Sequence, residues 1–176
     1  MIYMIYAPTL YLKMMTQFCL NIIILKRQIW YYKKTPEGIL LIHINARSLC
    51  KNYDAITDTL VKLKPHPSII FISETKLHDS TIEEQLKQIR IDGYRIVYDN
   101  SGTAIYINDA LKFIERPEIK FDHPNCEACF IEIDCESTAK NPIFGALYLD
   151  TLSRTSAHLP ATWVNFWRTL LQEVFH

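Results

Sequence analysis

Two short apolar runs with an amphipathic stretch between them constrain this chain more than anything else in it. Gly38 to Asn45 (GILLIHIN) and Ser68 to Ser73 (SIIFIS) have the dense Ile, Leu and Phe content of strands buried on both faces. Between them, Asn52 to Lys64 places Ile56, Leu60 and Leu63 at i, i+4 and i+7, and Pro65 and Pro67 stop the periodicity. Strand, helix and strand in that order predict a right-handed crossover with parallel pairing.

The rest of the chain continues the pattern. Ser80 to Glu83 (STIE) has the spacing of a capping box and predicts a short helix carrying Leu86 and Ile89. Tyr94 to Tyr98, Thr103 to Ile107, Ala128 to Cys135 and Ile143 to Leu149 read as strands, the first two joined as a hairpin through Asn100-Ser101-Gly102. Thr162 onward, with Phe166, Leu170 and Val174, reads as a closing helix. A β-α-β start followed by hairpins predicts an α/β fold with mixed sheets. Tyr94, Tyr98 and Tyr106 lie in alternating strands, where core packing is the expected role and base stacking the lesser alternative.

Composition excludes several classes. With 176 residues, 49% hydrophobic and 22% charged, the chain is long and apolar enough to bury a core without disulfides. Its 19 basic residues balance its 19 acidic ones, which excludes binding driven by overall positive charge. The balance is uneven along the chain. Lys13, Lys26, Arg27, Lys33 and Lys34 precede Thr35 with no acidic partner, leaving 14 basic against 19 acidic residues beyond.

Residues 1–36 thus form an apolar and basic leader, expected to stand apart from the domain at 37–176 as a poorly ordered or non-native segment. A membrane span is the lesser reading, because Lys13 interrupts the apolar stretch and Met14 to Leu25 is too short and includes Gln17 and Asn21. A secretory signal is excluded by the lack of a basic start and a small-residue cleavage site. Cys19, Cys50, Cys126, Cys129 and Cys135 form an odd set without disulfide rhythm, pointing to a reducing compartment, nuclear or cytoplasmic. His123, Cys126, Cys129 and Cys135 invite a zinc reading. Strand alternation puts Cys129 and Cys135 on one face with Ile131 and Ile133, which favours core packing.

The chemically informative residues stand at strand ends. Asn45 closes the first strand and Glu74 follows the second, so parallel pairing predicts an amide and a carboxylate at one sheet edge, where α/β folds bind ligands. Such a pair suits a hard ion like Mg²⁺, which keeps waters and takes one or two carboxylates plus substrate phosphate. A helix-capping Asn and a solvated Glu fit the same residues equally well.

At these residues the sequence resembles the endonuclease/exonuclease/phosphatase superfamily, in the form carried by non-LTR (LINE-type, jockey-like) retrotransposons ahead of their reverse transcriptase. The resemblance begins near Leu40 and rests on HINARSL (His43 to Leu49), KNYDAI, IIFISETKL (Ile69 to Leu77), IDGYRIVYDN (Ile91 to Asn100), GTAIYIND (Gly102 to Asp109), CEACFIEI (Cys126 to Ile133) and IFGALYL (Ile143 to Leu149) in that order. It implies part of a two-sheet αββα sandwich of the DNase I type, DNA as partner and Mg²⁺ or Mn²⁺ as cofactor. By position, Asn45 resembles the Asn that orders the metal and phosphate network, Glu74 the metal-holding Glu, and Tyr148 the Tyr that hydrogen-bonds the scissile phosphate. Arg47 is a lesser candidate for a backbone phosphate, a surface Arg being the commoner case.

The departures carry expectations too. After the Tyr strand the family continues to a Gly-Asp-Phe-Asn type motif, an Asp and a Ser-Asp-His motif, and none of these stands before His176. Ser156-Ala157-His158 lacks the Asp, Leu149 and Asp150 replace the usual Arg and Pro, and the turn before Thr103 keeps only Ser101-Gly102 of a Gly-rich one. The expectation is a truncated N-terminal part of the domain, missing its C-terminal half, with exposed apolar sheet faces, marginal stability and little activity alone. The alternative is a non-catalytic remnant or interaction module, attached to membrane through its leader.

Overall fold

Residues 2–7, 21–25, 28–34, 38–99, 102–119, 126–134 and 141–149 are described by the structure, a computed structural model. Strands β1 (Ile2–Ala7), β2 (Asn21–Leu25), β3 (Gln28–Lys34), β4 (Leu40–Asn45) and β5 (Ile69–Ser73) come first, with helix α1 (Leu49–Lys62) between the last two. A 3₁₀ turn at Asp79–Thr81 leads into helix α2 (Ile82–Gln88), followed by β6 (Tyr94–Asp99), β7 (Thr103–Asn108), β8 (Phe113–Glu115), β9 (Cys126–Ile133) and β10 (Ile143–Leu149).

These strands make two sheets. The six-stranded sheet has the order β2-β3-β4-β5-β7-β6, and the four-stranded one β1-β10-β9-β8. Among the described strands only β4 and β5 pair in parallel, Asn45 opposite Ser73, as a β-α-β crossover requires. The architecture is therefore α/β, with a mixed sheet against an antiparallel one.

Alternation along the central strands divides the core in two. Ile42, Ile44, Ile70, Ile72, Ala104 and Tyr106 face the helices and pack with Leu49, Ile56 and Leu60 of α1. Leu41, Ile69, Phe71, Ile105 and Ile107 face the other way and pack with Cys129, Ile131, Ile133, Phe144 and Ala146 of the second sheet. Both faces of β4, β5 and β7 are covered. The exposed apolar faces expected from the sequence are thus not found on these strands, because the helices cover one side and β9 and β10 the other. Tyr106 is buried at 1% exposure and its hydroxyl donates to the Ile89 carbonyl at 2.6 Å, while Tyr94 and Tyr98 are half-buried against the same cluster.

Other expectations need adjustment. Within residues 1–36, β3 pairs antiparallel with β4, β2 with β3, and β1 with β10, as their Ile, Tyr and Trp content favours where neighbouring edges are available. No helix among the described residues is long and apolar enough to cross a membrane. Helix α1 begins at Leu49, three residues before the predicted start, because Leu49 N–H donates to the Thr75 carbonyl (2.8 Å) and its side chain is fully buried. The capping box does not form, since the 3₁₀ turn moves the N-cap to Thr81, which makes no side-chain cap bond. Strand β8 carries no pattern long enough to foresee, and β9 starts two residues early, at Cys126. The predicted closing helix from Thr162, and the residues Asn100 and Ser101 of the hairpin turn, lie outside the described residues.

Gly145 in β10 is dictated by contact, because a Cβ there would overlap the ring of Phe130, its partner across the ladder. Gly145→Val is expected to lower unfolding free energy by about 1–3 kcal/mol in urea titrations, the usual cost of overpacking. His43 gives a pH signature. Burial lowers its imidazole from 6.5 to about 3, so the native state holds it neutral while the unfolded chain takes up a proton as pH falls through 6.5. The unfolded state binds more protons below that point, so its contribution to stability is complete above pH 6.5 and is lost progressively towards pH 3. Between pH 7.5 and pH 5 the loss should reach about 2 kcal/mol, and His43→Leu should abolish it.

Candidate functional site

The parallel pairing of β4 and β5 builds the site. It sets Asn45 beside Ser73 at the carboxyl ends of two adjacent strands, with Glu74 one residue further on. Glu74 has φ 53, a left-handed turn that returns its carboxylate towards β4. There Asn45 Nδ2 donates to Glu74 Oε1 at 2.7 Å. The amide oxygen of Asn45 accepts from Arg47 N–H at 3.2 Å, so both ends of the amide are engaged and its orientation is fixed. Both residues are half-exposed at the rim of the sheet. The second oxygen of Glu74 takes no hydrogen bond from the described residues.

The backbone under this pair is laced across three loops. Ala46 N–H donates to the Ser73 carbonyl (2.9 Å), Ser48 to Glu74 (2.8 Å), and Thr75 to Gly102 at the start of β7 (2.9 Å). Asn52 Nδ2 ties the β4–α1 loop to the helix through the carbonyls of Ala46 (2.8 Å), Arg47 (3.2 Å) and Ser48 (3.3 Å). Gly102, at φ 129, lets the hairpin pass under the facing sheet, where a Cβ would lie 2.5 Å from Glu127 Oε2.

Strain marks the same place. Among the described residues, the non-glycine residues with positive φ are Arg47 (47), Ser48 (87), Glu74 (53) and Lys76 (52), all in the two loops at this sheet edge. Each such conformation costs of order 1–3 kcal/mol and persists where surrounding contacts over-determine it, as at ligand sites. Arg47 and Lys76 are exposed beside Glu74.

Beneath the rim lie three side chains that sequence reading did not select. Ser73 (1% exposed), Thr75 (0%) and Thr103 (0%) each bury a hydroxyl oxygen with no hydrogen-bond partner among the described residues. A buried polar group left unsatisfied costs about 1–3 kcal/mol. Strand parity was the available signal: Ser73 shares the face of Ile69 and Phe71, and Thr103 that of Ile105 and Ile107, so both were due to point between the sheets.

The predicted site residues fare differently. Asn45 and Glu74 are brought together. Tyr148 is placed by its backbone, opposite Glu127 in the β9–β10 ladder and Ile2 in the β1–β10 ladder, its side chain lying outside what the structure describes. Cys129, of the zinc alternative, sits in the inter-sheet core at 6% exposure, packed with Ile131, Ile133 and Phe144, and burial pushes its thiol up to about 12. His123, Cys135 and the side chain of Cys126 lie outside the described residues. Among the described residues no three His, Cys, Asp or Glu gather as a metal cluster. A Mg²⁺ ion does not need three: it keeps several waters and is anchored by one or two carboxylates with substrate phosphate. A rim carboxylate with one oxygen oriented by an amide and the other unbonded fits that demand. Compared with family models, with characterised proteins and with solved structures, the chain matches none.

The strain is directly testable. Ser48, at φ 87 and ψ 103 and without a side-chain cap bond, stands in a region that suits glycine. Ser48→Gly is expected to raise stability by about 1 kcal/mol in denaturant titration, the relief of strain exceeding the added chain entropy. A loss of stability would show that Ser48 is unstrained.

Proposed function

We propose that this chain carries the metal- and phosphate-binding edge of a Mg²⁺- or Mn²⁺-dependent DNA endonuclease domain, of the kind found in retrotransposons. The observation that carries the reading is the 2.7 Å bond from Asn45 to Glu74 across the ends of two parallel strands. It joins, at one edge, the two residues whose motifs resemble the endonuclease/exonuclease/phosphatase superfamily. The strained loops around them add a second, independent mark.

In this reading Glu74 would hold the ion, and Asn45, which donates to one of its carboxylate oxygens, would keep the carboxylate oriented for it. Asn45 thus acts through Glu74 rather than as a ligand of its own, since its nitrogen faces the carboxylate and its oxygen serves Arg47 N–H. A divalent ion so held supplies Lewis-acid stabilisation of the phosphate and the leaving oxygen. Tyr148 is assigned to the scissile phosphate by motif, and exposed Arg47 to a neighbouring one. The motif Asp that activates water and the motif His that binds phosphate are not among these 176 residues. General acid–base groups contribute about 10²–10⁴-fold each, so nicking by this chain is slow.

Manganese binding, read from the loss of free-ion signal in electron paramagnetic resonance, tests the reading. The full chain should bind Mn²⁺ and Glu74→Gln should not, with slow Mg²⁺-dependent nicking of supercoiled plasmid lost in the same variant. Mn²⁺ uptake undiminished by Glu74→Gln would refute it. Glu74-dependent DNA retention without any nicking would favour the non-catalytic module.

A further inference from the structure

A polar row crosses the six-stranded sheet just beneath the rim. Asn45 is the register partner of Ser73, and Thr103 that of Asp99. One step beyond the Ile72–Ala104 pair, Ser73 and Thr103 themselves fall opposite each other, so Asn45, Ser73 and Thr103 stand side by side on three adjacent strands. All three share the face that turns towards the second sheet. The next residues inward on β5 and β7, Phe71 and Ile105, are fully buried and apolar.

The hydroxyls in this row are unusual for buried groups. Most buried polar atoms in folded proteins are hydrogen-bonded, and each exception asks for an explanation. Here Ser73 Oγ and Thr103 Oγ1 are buried without partners among the described residues, with Thr75 Oγ1 a third on the segment that carries Glu74. Their backbone groups are not idle, since the Ser73 carbonyl accepts from Ala46 and Thr75 N–H donates to Gly102. Only the side-chain oxygens lack a role.

We propose that Ser73 and Thr103 are positioning residues for the ion held by Glu74, accepting hydrogen bonds from its water ligands. This rests on the metal reading of Glu74 given above. Water bound to a dication is a strong donor, and its hydrogens need acceptors that do not compete with the anchoring carboxylate for charge. Ser73 offers a neutral hydroxyl oxygen one residue from Glu74 and one strand from Asn45, and Thr103 offers another on the next strand, opposite Ser73. Mg²⁺ loses its waters reluctantly, so the partners of those waters are part of the site. Groups of this second layer typically change metal affinity 10- to 100-fold when removed.

The test uses the full chain, Mn²⁺ as probe, and two readouts: Mn²⁺ affinity by electron paramagnetic resonance, and the urea midpoint in EDTA. Ser73→Ala and Thr103→Val should each weaken Mn²⁺ binding about tenfold. Their midpoints in EDTA should stay level or rise, because each change removes a buried unpaired hydroxyl. Ser73→Thr, which keeps the oxygen, should retain the original affinity. Unchanged Mn²⁺ affinity in both deletion variants overturns the proposal, as does a loss matched by a fall in midpoint. Two variants guard against one failing to fold. If the unaltered chain takes up no Mn²⁺, or Glu74→Gln binds as well as it does, the metal reading falls and this proposal with it. Binding that depends on Glu74 and ignores Ser73 and Thr103 removes this proposal alone.

Discussion

The parallel ladder between β4 and β5 is the interaction on which the rest of the molecule turns. Its register, Leu41 to Ile69 through Asn45 to Ser73, decides which side chains face the helices and which face the second sheet. A slip of one residue would exchange those faces on β5, setting Ile70 and Ile72 against the second sheet and Ile69 and Phe71 against α1. It would also part Asn45 from Glu74. Core and candidate site are thus fixed by one set of backbone bonds.

Those bonds also explain how two loops of ordinary residues keep left-handed backbone. Nothing local favours positive φ at Arg47, Ser48, Glu74 or Lys76, none of which is glycine or asparagine. The conformation is imposed from a distance, by carbonyls of the β5 loop that accept from the β4–α1 loop and by Asn52, which gathers three carbonyls with one amide. The burial of Leu49, Ile56 and Leu60 holds α1 in place and so sustains that network. Hydrophobic burial on one face of the sheet supports strain at its edge.

The legible part of the fold is what short-range pattern encodes. The dense apolar runs gave β4, β5 and β10, and the alternation gave β6 and β7. Asn45 and Glu74 were legible as a pair because parallel topology alone puts the ends of two such strands side by side. What escaped sequence reading depends on partners far along the chain. Leu49 joins the helix early because Thr75 accepts its N–H, and the leader strands pair with edges whose availability no local pattern announces. Ser73 and Thr103 lay in plain alternation with core residues, yet a serine or threonine in a strand is ordinarily unremarked. That their hydroxyls meet no partner among the described residues depends on how the chain is arranged in space, not on local pattern.

The central claim is that Asn45 and Glu74 form one divalent-ion site at the sheet edge. Its most direct test is a Mg²⁺ titration of isotopically labelled chain followed by nuclear magnetic resonance. The account predicts saturable shifts concentrated on the Asn45 side-chain amide and the backbone N–H groups of Arg47, Glu74 and Thr75. Shifts spread over the acidic surface of α1 and α2, at Asp54, Asp58, Glu83 and Glu84, with the Asn45 amide unmoved, would contradict it.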